Sequence, residues 1–288
     1  MVKEKHLLLI DGMALLFRGY YATAFRGVKQ FSRNGTPTNG VHQFFRYLGN
    51  ALQTFKPSHV ICCWDLGIHT FRKRLYADYK ANREAPPEAL IPQFDLVKDV
   101  VRFFGIPNVF HEDYESDACL GTLARRYHRQ AFVTILTGDL DLLQLVDHNI
   151  QIAMMRKGLG NYECFHEENI QEKIGMEPKQ IIDYKALMGD PSDNYPGVKG
   201  IGEKTARKLL QTYDNIEQLL ERLDELTPAM QKRIQSDLDV LKLCRKLATI
   251  QCHVPLPKEI PVREINKDYF ETGQLFRNVD NHIEKCLA

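Results

Sequence analysis

The chain has 288 residues, enough for one large domain or two smaller ones. Its 38 basic and 37 acidic residues leave a net charge of +1, which excludes nucleic-acid binding through overall basicity alone. Hydrophobic residues make up 44% of the chain and charged residues 26%, so a folded globular protein is expected and a disordered one is excluded.

The cysteines and the apolar runs indicate where the protein works. Seven cysteines include no C-x-x-C pair and no zinc spacing, which indicates reduced and mostly buried thiols. The apolar run at the N-terminus stops at Asp11, too early for a signal peptide, and no other run approaches the length of a membrane span. We therefore expect a cytoplasmic protein that does not bind membranes.

Short apolar runs alternate with helical patterns in the first part of the chain. The predicted strands are 6–10, 59–64, 131–138 and 149–154. The predicted helices are 39–55, 91–104 and 115–130. This alternation predicts an α/β fold with a mainly parallel central sheet flanked by helices.

The segment 66–90 departs from this alternation. Its first part, 66–83, carries five basic residues against one acidic residue, Asp78. It ends in APPEA, a sequence that disfavours the centre of a helix or strand, so we expect an exposed segment. Two of its aromatic residues fit base stacking and core packing equally well: Tyr76 and Tyr79.

From 176 to 250 the pattern is helical, and after 250 it becomes irregular. Within it, GVKGIGEKTARKLL at 197–210 predicts a tight glycine turn followed by a helix that begins near Glu203. Backbone amides in such a turn, together with the helix N-terminus, can hold phosphate without reading base sequence. A plain glycine-rich turn between two helices is the alternative.

Three of the predicted strands run into an aspartate: Asp11, Asp65 and Asp139. Because the carboxyl ends of parallel strands share one edge of a sheet, we expect these carboxylates to gather there. Further acids in YESD, TGDLD and GDPSD are candidates too, although helix caps and turns also use acids. The eight candidate ligands are Asp11, Asp65, Glu115, Asp117, Asp139, Asp141, Asp190 and Asp193.

So many carboxylates in one cleft cannot all be ionised without compensating positive charge. Divalent cations supply such charge, and Mg²⁺ prefers oxygen ligands from carboxylates, water and substrate phosphate. Two such ions can stabilise both the attacking and the leaving oxygen of a phosphodiester. The acids therefore predict two Mg²⁺ ions, with Mn²⁺ as a substitute, and the hydrolysis of a phosphodiester.

Five motifs together resemble the 5′-nuclease family, which includes flap endonucleases and the 5′→3′ exonuclease domain of bacterial DNA polymerase I. In chain order they are LLLIDGMALLFR, YADYKANR, YESDA, TGDLDLLQL and GDPSDNYPGVKGIGEKTA, and the resemblance covers about residues 6–250. It implies a metal-dependent exonuclease or flap endonuclease that acts on branched or 5′-flap DNA in replication and repair, as a monomer. It also implies a PIN-like core at 1–175 and a helical duplex-binding region at 176–288.

The resemblance implies roles for individual residues. The acids around a first metal ion would be Asp65, Glu115, Asp117, Asp139 and Asp141. Those of a second ion would be Asp190 and Asp193, and Asp11 would orient the water held by the metal. Lys80 and Arg83 would stabilise charge on the scissile phosphate, joined by Arg72, while residues 66–90 would form an arch around the 5′ single strand.

The glycine run resembles the helix–three-turn–helix of this family. A helix-hairpin-helix at 189–211 would grip the backbone of duplex DNA. The residues predicted to contact it are Lys199, Gly200, Gly202, Lys204 and Thr205. The hairpin would also hold K⁺ on main-chain carbonyls in the stretch that contains Val198 and Ile201.

One departure from the bacterial pattern concerns Ala118, which stands where bacterial members commonly have a third acid in E-x-D-D. A small residue there is typical of archaeal and eukaryotic members, so we expect activity to survive. The alternatives are a weakly active paralogue that binds branched DNA and a related ribonuclease, the latter disfavoured by the hairpin. Since no polymerase sequence follows, we expect a stand-alone enzyme, with a fragment as the alternative.

Overall fold

A computed structural model gives the fold of the chain. It describes residues 5–25, 27, 30–67, 70–270 and 274–287. Two residues of the predicted arch, Ile68 and His69, lie outside the described residues.

A mostly parallel sheet lies at the centre of the N-terminal part. Its strands are β1 His6–Asp11, β2 His59–Cys63, β3 Asn108–Val109, β4 Phe132–Thr137, β5 Ile150–Met155 and β6 Tyr162–Phe165. The strand order is β3-β2-β1-β4-β5-β6, in which β6 alone runs antiparallel to its neighbour. The α/β fold and the four predicted strands are confirmed, whereas β3 and β6 were not predicted.

Helices cover both faces of the sheet and form the C-terminal part. Those of the N-terminal part are α1 Gly12–Ala24, α2 Asn39–Phe55, α3 Phe71–Leu75, α4 Ile91–Phe103, α5 Ser116–Tyr127 and α6 Glu167–Ile174. Those that follow are α7 Gln180–Met188, α8 Glu203–Tyr213, α9 Ile216–Glu221, α10 Pro228–Ser236, α11 Leu238–Ala248 and α12 Leu275–Leu287. The predicted helices are confirmed as α2, α4 and α5, and α8 begins at the expected Glu203.

Alternate residues of the central strand β1 serve the two faces of the sheet. Leu8 and Ile10 pack with α1, α2 and α4 in one apolar cluster. Leu7 and Leu9 pack with α5 in a second cluster on the other face. Because helices bury both faces, the parallel strands are almost continuously apolar, which is why they were recognisable in the sequence.

The C-terminal helices form a third apolar cluster around α7, α8 and α11. The chain then returns to the sheet: Ile265 donates its backbone N–H to the carbonyl of Ser58, just before β2. The last helix, α12, buries Leu275, Val279 and Ile283 in the cluster that contains α2 and α4. The predicted second domain, 176–288, therefore includes a terminal helix that packs on the first.

Two further features concern the thiols and the membrane. The seven cysteines are free, and four of them are buried. Among the helices that the structure describes, none combines the length and apolar character needed to span a bilayer.

Candidate active site

The carboxyl ends of the three central strands hold a row of acids. Asp11 ends β1, while Asp65 and Asp139 follow β2 and β4, its two neighbours in the sheet. All three line a pocket of about 380 Å³. The convergence expected from the strand pattern is therefore observed in the structure.

Asp11 is held rigidly at the base of this pocket. One carboxylate oxygen accepts the backbone N–H of Ala14 at 3.0 Å and so caps α1, and the other accepts the hydroxyl of Thr137 at 2.8 Å. Burial raises the pKa of Asp11 to about 7, and the nearby charges of Asp65 and Asp139 add to the rise. The position therefore disfavours a negative charge unless a cation is close.

Glu115 and Asp117 enter the pocket at the start of α5. Glu115 occupies the N-cap position and Asp117 lies in the first turn. Because the regular helix has only just begun there, both side chains can face the pocket. Burial acts against ionisation of both groups, but Lys80 and Arg72 lower the pKa of Glu115 to about 2. Burial raises the pKa of Asp117 to about 6 in spite of Arg72.

Arg72 is buried, contrary to the exposed basic segment that the sequence predicts. Its exposed fraction is 2%, and one guanidinium nitrogen lies 2.5 Å from Glu115 and 2.8 Å from Asp117. Its other nitrogens donate to the carbonyls of Leu247 and Thr249 at the end of α11. Arg72 therefore fixes two carboxylates and joins the α/β part to the helical part.

Tyr79 is also buried, which decides between the two roles left open for it. Its side chain packs in the cluster of the C-terminal helices. Its hydroxyl lies within hydrogen-bond distance of two carboxylates, 3.1 Å from Glu115 and 2.8 Å from Asp193, and can donate its proton to either. Tyr79 thus packs in the core and orders the acids, whereas Tyr76 is partly buried against the same cluster.

Lys80 and Arg83 lie at the rim of the pocket because their loop docks on a second loop. Lys80 has a left-handed backbone, with φ of 54°, and its N–H donates to the carbonyl of Asp193. Non-glycine residues rarely adopt this conformation, so the docking must hold it in place. The Lys80 amine lies 2.5 Å from Glu115, and the Arg83 guanidinium lies 2.7 Å from Asp193.

A second group of acids joins the sheet to the helical part. Single carboxylate oxygens of Asp141, Asp190 and Asp193 all lie within 4.8 Å of one another. Asp139 accepts the N–H of Asp141 at 2.9 Å, which connects this second group to the acids at the ends of the strands. Burial raises the pKa of Asp141 to about 7, and the charge of Asp139 contributes.

Lys185, on α7, lies between two of these acids. Its amine is 2.6 Å from Asp141 and also pairs with Asp190. Burial lowers the pKa of Lys185, but the two carboxylates raise it by more, so the amine stays charged. Lys185 was not predicted from the sequence, because the GDPSD motif begins at Gly189. A basic residue one helical turn before that glycine was the available signal.

The hairpin after the second acid group owes its shape to two glycines. A Cβ on Gly189 would lie 2.4 Å from the backbone of Pro196, and a Cβ on Gly197 would lie 2.3 Å from the backbone of Gly189. Both glycines also have positive φ, a conformation that residues with a side chain rarely adopt. The two backbone segments therefore touch at a point where no side chain fits. These glycines build the turn, which leaves Gly200 and Gly202 as the exposed ones.

The exposed side of the hairpin carries the predicted contact residues. Lys199 and Lys204 are exposed and Thr205 is partly exposed at the start of α8. The N–H of Lys199 donates to Asp237 at 2.8 Å. The side chains of Val198 and Ile201 are buried, and the carbonyl of Val198 accepts the N–H of Ile201.

The donors around the pocket fit a hard divalent cation. Seven of the eight candidate carboxylates line it, and the eighth, Asp190, lies beside Asp141 and Asp193. Among the described residues, the basic groups that pair with these acids are Arg72, Lys80, Arg83 and Lys185. Four cations cannot neutralise eight acids, and oxygen ligands without histidine or thiolate suit Mg²⁺ or Mn²⁺. Ala118 adds no ligand, because its methyl group has no donor atom; it lies in the first turn of α5 and is fully buried in the second apolar cluster.

Two family models match the chain. One is described as the 5′-3′ exonuclease N-terminal resolvase-like domain and matches residues 6–175, and the other is the 5′-3′ exonuclease C-terminal SAM fold and matches residues 176–268. Fold and sequence together define an α/β nuclease with a helical C-terminal part. The chain belongs to the 5′-3′ exonuclease family.

The chain is also similar to individual proteins of known sequence or structure. The 5′-3′ exonuclease of Bacillus subtilis (strain 168) is 52% identical over 88% of this chain and 86% of its own length. DNA polymerase I of Lactococcus lactis subsp. cremoris is 36% identical over 95% of this chain, which spans about a third (32%) of that protein. A bacteriophage T5 flap endonuclease, solved with DNA and metal ions, shares the fold with a TM-score of 0.67 at 18% identity, over 99% of this chain and 100% of that one.

Proposed function

We propose that the chain is a metal-dependent, structure-specific 5′ nuclease that hydrolyses phosphodiesters of branched or 5′-flap DNA. The observation that carries this proposal is the meeting of eight carboxylates from two parts of the fold, with Lys80 and Arg83 at the rim. The fold is shared with a flap endonuclease that was solved with DNA and metal ions, which supports the choice of substrate. We further propose that the enzyme acts as a monomer in the cytoplasm, in replication and repair.

The carboxylates fall into two groups that would hold two Mg²⁺ ions. The first group would be Asp65, Glu115, Asp117, Asp139 and Asp141. The second ion would be held by Asp190 and Asp193. Because Asp141 lies beside both of them, it would be shared between the two ions. When bound, such ions supply Lewis-acid stabilisation of the phosphate oxygens and acidify water.

The protein's own groups bind and orient the reacting phosphodiester. Lys80 and Arg83 now pair with Glu115 and Asp193. With divalent ions held by those acids, Lys80 and Arg83 would be available to stabilise charge that develops on phosphate oxygens. Asp11, which is fixed by Ala14 and Thr137, would orient the attacking water.

Arg72, predicted as a third phosphate contact, has a different proposed role. Its guanidinium is buried among two carboxylates and two carbonyls, so all its contacts lie inside the protein. We propose that it is a permanent counter-charge that positions Glu115 and Asp117. It would thereby act on catalysis through these ligands.

The hairpin would hold the duplex beside the pocket. Backbone amides of Gly200 and Gly202, the start of α8, and the exposed Lys199, Lys204 and Thr205 would contact phosphates of one strand. Phosphate contacts of this kind position a duplex without reading its sequence. We propose that K⁺ binds main-chain carbonyls in this stretch, at Val198 and Ile201.

The test is cleavage of a labelled 5′-flap duplex by the wild type and by Asp139→Ala. Removing one central carboxylate should lower the cleavage rate at least about a hundredfold, a loss typical of a lost transition-state contact. Binding of the flap in EDTA should remain measurable. The matched control is Asp95→Ala, which removes an exposed acid of α4 that does not line the pocket and should cleave normally.

The result also depends on the divalent ion. EDTA should abolish cleavage by the wild type, and Mg²⁺ or Mn²⁺ should restore it. Wild-type turnover by Asp139→Ala, or cleavage that persists in EDTA, would disprove the proposed metal site.

A further inference from the structure

Lys185 places an ammonium group inside the second acid group. Its side chain is 17% exposed, and those of its partners Asp141 and Asp190 are 14% and 6% exposed. The amine is 2.6 Å from one oxygen of Asp141 and pairs with one oxygen of Asp190. The pairing thus joins an acid that follows β4 to an acid that follows α7.

The ammonium group uses the same carboxylates that a second divalent ion requires. Oxygens of Asp141, Asp190 and Asp193 lie within 4.8 Å of one another, a space suited to one small cation. A lysine ammonium is a compact point charge on a flexible four-carbon stem. It cannot share these oxygens with a divalent ion at contact distance, because the two positive charges repel.

The counter-charge of the first acid group behaves differently. The Arg72 guanidinium is tied to Glu115 and Asp117 and also donates to two main-chain carbonyls, so it cannot leave without breaking all these bonds. Among the described contacts, the Lys185 amine has carboxylate partners alone. One counter-charge is therefore fixed and the other can be displaced.

We propose that Lys185 is a built-in counter-ion of the second metal position, and that a second Mg²⁺ binds only by displacing its ammonium group. This inference rests on the two-ion mechanism proposed above and adds a residue that controls it. In the protein without DNA, one ion binds well while Lys185 weakens the second. Substrate phosphate, by adding negative charge, then favours the exchange of ammonium for the divalent ion.

The experiment measures Mn²⁺ binding to the DNA-free protein by isothermal titration calorimetry and by the electron paramagnetic resonance of free Mn²⁺. Lys185→Met removes the charge and keeps the length of the side chain. The second Mn²⁺ should then bind about tenfold more tightly or better, since its competitor is gone. The control is Lys179→Met, just before α7, whose exposed amine pairs with Asp214 and should leave both affinities unchanged.

Stability gives an independent readout. Without Lys185 the acids of the second group repel each other, so Lys185→Met should unfold at a lower temperature than the wild type in EDTA. Mn²⁺ should raise the unfolding temperature of the variant by more than it raises that of the wild type. If Lys185→Met does not fold, Lys185→Gln serves instead, because it keeps hydrogen-bond donors without the charge.

The outcomes separate this inference from the proposed function. Two ions bound with the same affinities by wild type and variant would overturn the inference and leave the two-ion mechanism standing. A weaker second ion in the variant would also overturn it, because Lys185 would then only position the ligands. No saturable binding by either protein would overturn both proposals.

Discussion

At the scale of single residues, the pocket is a balance between acids and buried bases. Arg72 shows this most clearly, because it is 2% exposed and contacts two acids that the sequence identifies as metal ligands. Both acids could be recognised in the sequence from the YESD motif and its resemblance to the 5′-nuclease family. The sequence could not place Arg72, since burial depends on α11, whose end lies about 175 residues further along the chain.

Substitution of Arg72 should therefore lower the free energy of unfolding, even in the absence of metal ions and substrate. Arg72→Met leaves Glu115 and Asp117 without their buried partner, and breaking a buried ion pair in this way costs about 3–5 kcal/mol. Urea unfolding in EDTA should show this loss. Mg²⁺ should restore part of it, because the ion replaces the missing positive charge.

The control for this prediction is Arg74→Met, two residues away. Arg74 pairs with Asp113, but both side chains are about half exposed, and such surface pairs contribute about 0–1 kcal/mol. Equal losses from the two substitutions would contradict the role assigned to Arg72.

At the scale of elements, the hairpin and α8 form the part of the proposed DNA interface that the local sequence specifies best. Gly189 and Gly197 are required by close backbone contact, and α8 begins where the sequence predicts. Strands β1, β2, β4 and β5 were predictable because buried parallel strands are apolar. The two-residue β3 and the half-buried edge strand β6 carry no comparable pattern, and Lys185 needed the fold to place it beside Asp141.

The hairpin predicts a specific dependence on salt. Lys204→Ala removes an exposed amine near the start of α8 that we propose contacts phosphate, so 5′-flap binding should weaken for all base sequences alike. The slope of log affinity against log salt concentration should fall by about one unit. Fluorescence anisotropy in EDTA, over a series of KCl concentrations, measures both.

Lys258→Ala is the matched control for this measurement. Lys258 is exposed and follows Pro257, whose carbonyl contacts Arg126 near the C-terminal end of α5, opposite the end that carries Asp117. Its removal should leave the slope unchanged. An unchanged slope for Lys204→Ala would instead show that the hairpin does not contact DNA backbone.

At the scale of the whole molecule, the pocket exists only where the two parts meet. The sheet supplies Asp11, Asp65 and Asp139, while the loop after α7 supplies Asp190 and Asp193. Arg72 and Lys185 bridge the same boundary, and we propose that the first is a fixed counter-charge and the second an exchangeable one. We therefore expect the relative placement of the two parts to affect the proposed metal binding, because acids from both parts would be ligands.

The terminal helix α12 strengthens the α/β part from the side that does not carry the site. Ile283 is 2% exposed within the cluster of α2 and α4, and none of the described residues of α12 lines the carboxylate pocket. Ile283→Ala should reduce the free energy of unfolding by about 2–5 kcal/mol. The affinity for 5′-flap DNA in EDTA should stay at the wild-type value, because the pocket and the hairpin are untouched. The control is Asn281→Ala, which changes an exposed residue on the same helix. A fall in flap affinity for Ile283→Ala alone, measured well below its unfolding transition, would show that α12 is coupled to the site.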